Sequence, residues 1–94
     1  MCTSIVEIVE ADGAGKGADG EWFGLTHSVV SYDHPHHALF EEAITIDFVN
    51  RALGPGARVA VELSLDAAKE LSGALARAIA AAEIEESIRI RPGR

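Results

Sequence analysis

Residues 32–40 read YDHPHHALF and hold three of the chain's four histidines within four positions. Neutral imidazoles beside carboxylates are the donor sets of zinc, iron and manganese centres, and Asp33, Glu41 and Glu42 stand next to them here. Pro35 fixes its own φ and pushes His34 toward extended backbone, so the flanking imidazoles have less entropy to lose on ligation. In an extended chain His34 and His36 point the same way, whereas a tight turn after the proline brings His34 to His37. Two histidines and one acid with open positions suit a Lewis-acid or water-activating metal. A metal-free alternative uses Asp33 with His34 or His37 to shuttle a proton on a small substrate. The competing structural reading is a solvated polar turn in which Asp33 caps the chain ahead of Pro35.

Three other features raise chemistry and carry less of it. Cys2 is either a small buried hydrophobe on the face of Val6 and Ile8 or a soft metal ligand brought to the histidines by sheet pairing. As the second residue it also invites an N-terminal nucleophile reading, but a chain this short lacks the stacked sheets of such hydrolases. His27, between Leu25 and Val29 in a strand pattern, reads as a hydrogen-bonded member of a core edge. The glycine-rich stretch DGAGKGADG (residues 12–20) follows a strand, as phosphate-binding loops do. Its lysine is followed by Gly17 rather than by Gly-Lys-Ser/Thr order, and Trp22 and Phe23 open a strand where a helix is required. A flexible connection between strands fits it better.

The elements that must position these groups follow from hydrophobic period. Residues 3–10 are rich in branched side chains and predict a first strand, and residues 12–20 a loop. Residues 22–32 predict a second strand with Leu25, His27, Val29 and Ser31 on one face. In AITIDFV (residues 43–49) Ile44, Ile46 and Phe48 alternate, and in RVAVEL (residues 58–63) Val59, Val61 and Leu63 do so. NRALGPGA between them is a turn-rich connection. Ser64 then suits a helix N-cap with Asp66 in the first turn. Ala68, Leu71, Leu75, Ala78, Ile79 and Ala82 recur at helical spacing. Residues 84–94 read as a loose tail or a short fifth strand, since SIRIR alternates. The expected architecture is one α+β domain over residues 1–94: a four-stranded, or with the tail five-stranded, antiparallel sheet with one C-terminal helix packed on one face. One helix cannot cover four strands, and the remaining apolar area predicts a homodimer.

Composition bounds the function classes. Ninety-four residues at 48% apolar content support one core, and a net charge of −7 argues against nucleic acid as a partner. Arg89, Arg91 and Arg94 at the tail are a weak anion signal. With one cysteine the fold holds without an internal disulfide, and no apolar run is long enough to span a bilayer, so a cytoplasmic protein with no membrane association is expected.

Taken together, the opening MCTSIVE, the DHPHHA turn, the ITIDFVN strand and ALGPGARVAVELS running into an alanine-rich helix resemble a family of short, uncharacterised bacterial proteins with an MCT start and a D-H-P-x-H-A turn. The family brings no established activity. The resemblance implies His34 with His37 over His34 with His36, and relatives place a histidine before the third strand where this chain has Glu41 and Glu42. The leading expectation is therefore a divalent metal, zinc first, held by His34 and His37 with Glu42 or Cys2, serving hydrolytic or lyase-type chemistry in which His34, His37 and Asp33 take part. The rival is a non-catalytic dimeric binding or assembly subunit, without metal, that engages a protein partner through its sheet face and tail.

Overall fold

The structure is a computed structural model that describes residues 5–89. Four strands precede one helix: β1 (Ile5–Lys16), β2 (Trp22–Asp33), β3 (Ala43–Val49), a short 3-10 turn (Arg51–Leu53), β4 (Arg58–Leu63) and α1 (Leu65–Arg89). The strands form one antiparallel sheet in the order β1-β2-β3-β4, a meander in which each strand pairs with its neighbour in sequence. The chain thus has the α+β organisation and the element order expected from its hydrophobic period.

Three local expectations are corrected. The glycine-rich stretch is not a loop throughout, because β1 continues to Lys16 and pairs Gly13 with Leu25, Gly15 with Phe23 and Lys16 with Trp22. The register slips by one residue between Glu10 and Gly13, a β-bulge that absorbs the extra residue. At Gly15 a Cβ would stand 3.2 Å from Leu25 Cδ2 and 3.3 Å from Val59 Cγ2, so a missing side chain allows close approach there. The turn itself is confined to residues 17–21, where Gly20 takes φ +84° and its N–H donates to the Gly17 carbonyl at 3.0 Å.

At the other end no fifth strand forms over residues 84–89, because the helix continues to Arg89, and residues 90–94 lie outside the described residues. Alternation of Ser87, Ile88 and Arg89 is too short to override a helix already propagating through an alanine-rich run. The helix begins as its cap predicts: the Ser64 hydroxyl accepts from the Ala67 N–H at 3.1 Å, and the Ser64 carbonyl accepts from Ala68 at 2.9 Å. What differs is its placement. Rather than covering a sheet face, α1 contains no buried residue, and only Ala68 and Gly73 are half-covered.

Because directly opposed residues in an antiparallel pair share a face, the register sorts the sheet into two surfaces. One carries the rows Tyr32/Ile44/Leu63, Val30/Ile46/Val61 and Ser28/Phe48/Val59. The other carries Ser31/Thr45/Glu62, Val29/Asp47/Ala60 and His27/Val49/Arg58. The first is apolar and the second mostly polar. The only buried residues among those described are Ala43, at 1% exposure, and Ser28, at 8%. A chain of 9.9 kDa folds to a surface of about 5,200 Å² and a radius of gyration of about 12 Å when compact. This one exposes 7175 Å² with a radius of 16.3 Å and a longest extent of 56 Å.

Candidate functional site

The polar face of the sheet holds a concavity of about 200 Å³ that collects the residues with chemical potential: Ser31, Asp33, His34, His36, Thr45, Asp47, Arg58 and Glu62 line it together with Ala60 and Val61. It is built where β2 leaves the sheet at Asp33 and the 34–42 connection turns back to β3. Pro35, two residues past the end of β2, cannot donate to the ladder, and the three N–H groups that follow it all point at one side chain.

Those N–H groups meet a carboxylate. Backbone N–H groups of His36, His37 and Ala38 donate to Glu62 on β4, His36 to Oε2 at 2.6 Å and the other two to Oε1 at 2.9 Å each. Successive amides converging on one anion favour its ionised form. The His36 N–H, then those of Ala38 and His37, hold the Glu62 carboxyl down to about 2 from its ordinary 4.5, with the His37 charge adding a smaller pull. Glu62 therefore fastens the 36–38 backbone to the sheet across 25 residues of sequence.

His34 is held separately. Its own N–H donates to Asp33 Oδ1 at 2.7 Å, while its ring Nδ1 lies 3.1 Å from the Glu41 carbonyl and 3.0 Å from Glu42 Oε2. Both neighbours are acceptors, so Nδ1 carries the proton and donates. Glu42 is consequently bound to His34 at the nitrogen that orients the ring, the position a second partner takes around a metal-ligating imidazole. Of the expected site residues, the structure joins His34, Asp33 and Glu42, uses the backbone of His37 to grip Glu62, and leaves Cys2 outside the described residues. No cluster of three or more His, Cys, Asp or Glu that could hold a metal ion is found among the described residues.

The remainder of the polar face is internally paired. Ser31 and Thr45, directly opposite each other, share a short hydroxyl hydrogen bond. Arg58 reaches both carboxylate oxygens of Asp47 at 3.2 Å, a half-exposed ion pair. His27 belongs to a different group. Thr26 Oγ1 gives its single proton to the Val49 carbonyl at 3.2 Å and accepts from the Arg51 N–H at 3.1 Å, so the His27 Nδ1 atom 2.9 Å away is a donor to it. That ring joins a hydrogen-bonded cluster at the end of the β2–β3 ladder, to which Asn50 adds by donating to the Gly24 carbonyl at 2.7 Å.

Glu62 is the residue that reading the sequence missed. In an alternating strand an acid registers only as a solvent-facing position, and its partners here are backbone amides, which have no residue type to reveal them. The one available signal was Pro35, which interrupts the strand pattern and leaves the N–H groups after it without a ladder partner.

No helix among the described residues is long and apolar enough to cross a membrane. No curated protein and no solved structure matches this chain. The model of a family of unknown function, DUF6295, matches residues 1–88, and the chain belongs to that family.

Proposed function

We propose that this protein is a non-catalytic binding and assembly subunit that acts as a homodimer, with its apolar sheet face and helix as the interaction surface. The observation that carries this reading is the lack of an interior. Leu71, Leu75 and Ile79 are 48–58% exposed, and on β1 Ile5 and Val9, opposite Tyr32 and Ser28 on the apolar face, are 57% and 51% exposed. The chain exposes about 2,000 Å² more than a compact domain of its mass. An obligate interface buries about 2,000 to 5,000 Å² in total, so the excess matches one partner's share at the upper part of that range. A single copy gains too little apolar burial to offset the entropy of ordering its chain, and a second copy supplies the missing part. Obligate dimers unfold at a midpoint that rises with protein concentration. Thermal unfolding followed over a hundredfold concentration range should show a rise of several degrees; a constant midpoint counts against the reading.

A second reading is favoured by the donor geometry at His34. With Nδ1 committed to Glu42 and the Glu41 carbonyl, the opposite nitrogen is the one that would ligate, and zinc with His37 and Cys2 as further ligands is the corresponding centre. In that arrangement Glu42 orients rather than ligates. Elemental analysis of untagged protein beside His37→Ala decides it: stoichiometric metal lost in the variant supports the centre, and background metal in both samples removes it.

A further inference from the structure

We infer that the dimer forms by helix exchange: α1 of each copy lies across the apolar sheet face of the other. This rests on the self-assembly reading above and specifies which surfaces meet. Only Ser64 separates β4 from the helix, which starts at Leu65, and its 25 residues span about 37 Å at 1.5 Å per residue. Strand β3, at the centre of the apolar face, has 7 residues and spans about 23 Å. The helix therefore outreaches β3 and β4, the two strands nearest its start, and matches the length of the 12-residue strands β1 and β2.

Its pattern identifies what it covers. At 100° per residue, Leu71, Leu75 and Ile79 form one i, i+4, i+8 ridge flanked by Ala68, Ala78 and Ala82. Asp66, Lys69, Glu70 and Arg77 fall on the opposite side over the same length. A row of large residues beside small ones fits the shallow relief of a sheet. A helix-to-helix seam instead needs apolar positions alternating by three and four, sustained along the helix. Here Ala68, Leu71, Leu75, Ala78 and Ala82 do step by three and four, but three of those five are alanines, the large residues step by four and four, and Ile84 and Ile88 then swing to the far side, so no seam of large residues is sustained. The complementary surface is the face carrying Val30, Ile46 and Val61, which lie in one row across β2, β3 and β4. Val61 is 36% exposed on that row while Leu75 is 58% exposed on the ridge, so each of the two surfaces lacks the other. Covering both in trans accounts for the excess area without a third partner, and a two-fold axis makes the exchange reciprocal.

The test uses cysteine pairs in the full chain with Cys2→Ser. Copies carrying Ile79→Cys are mixed with copies carrying Ile46→Cys, equilibrated, and treated with a short bismaleimide at low micromolar concentration. A covalent dimer containing one chain of each kind is expected, lost when either cysteine is absent. Val30→Cys, beside Ile46 on the same row, replaces it where Ile46→Cys fails to fold and should give the same product. One chain carrying both Ile46→Cys and Ile79→Cys should yield intermolecular links, and an intramolecular link at dilution overturns the exchange. Efficient linking between two Ile79→Cys copies also overturns it, in favour of paired helices. Sedimentation of the same unlinked samples separates the two levels: dimer mass with no mixed product overturns the exchange alone, and monomer mass overturns self-assembly with it.

Discussion

The corner around Glu62 and the apolar surface formed by the sheet face and α1 are built in opposite ways. At the corner the chain supplies its own polar partners: three amides on Glu62, an acid and a carbonyl on His34, both oxygens of Asp47 on Arg58. Along α1 the ridge Leu71, Leu75 and Ile79 stands half in water, while the apolar sheet face is only partly shielded. Hydrogen bonds are short-range and directional, so a single chain can complete them through a turn. Burial needs two surfaces, and a meander touched only lightly by its helix, at β3 and β4, encloses little of either. The histidine-rich turn holds a fastening, and the apolar surface is where the proposed second copy would complete a core.

The contrast breaks most visibly on the apolar side. Leu75→Asp removes roughly 2 kcal/mol of burial from each copy, twice in a two-fold dimer, which is about a thousandfold weaker association. For the proposed dimer, sedimentation velocity of the variant should show monomer at concentrations where the parent sediments at dimer mass; equal dimer mass for both would mean that the ridge lies outside the interface.

At the corner the effect is smaller and depends on pH. The Glu62 carboxyl is lowered in the folded state to about 2 from 4.5, so its contribution is complete above about pH 4.5 and disappears as pH falls through about 2. Glu62→Gln should unfold at a lower temperature than the parent at neutral pH, and the gap should close in acid over that window. Melts at pH 7 and pH 2 check it, and a gap that persists at pH 2 would assign the loss to packing rather than to the ionised carboxylate.

Capping and glycine geometry sharpen the picture locally. Ser64→Ala removes the acceptor for the Ala67 N–H and should cost about 1 kcal/mol, read from urea unfolding. Gly15→Ala forces Leu25 and Val59 to give by a few tenths of an ångström, with a destabilisation on the order of 1 kcal/mol or less. Should Gly15→Ala prove neutral, close approach is not what keeps a glycine in β1.

Much of this fold could be read before any coordinates. Ile44, Ile46 and Phe48, then Val59, Val61 and Leu63, alternate because one sheet face is apolar, and that period survives into the structure unchanged. Ser64 announced the helix because its hydroxyl answers a free N–H. The glycines misled for a physical reason: they signal backbone freedom, whereas at Gly15 the chain uses the space that a side chain would fill. Placement of α1 was not legible either, because a stripe such as Leu71, Leu75 and Ile79 says that something apolar must meet it and not which chain provides it. The candidate site was legible as a location and not as a network, since the 32–40 stretch named the histidines but the amides gripping Glu62 carry no residue signature.

Sedimentation equilibrium of the untagged full chain at low micromolar concentration addresses the central claim most directly. The account predicts twice the chain mass of 9.9 kDa, with no folded monomer on dilution until secondary structure is lost. A well-folded species at the single-chain mass, with the helix intact by circular dichroism, would contradict it.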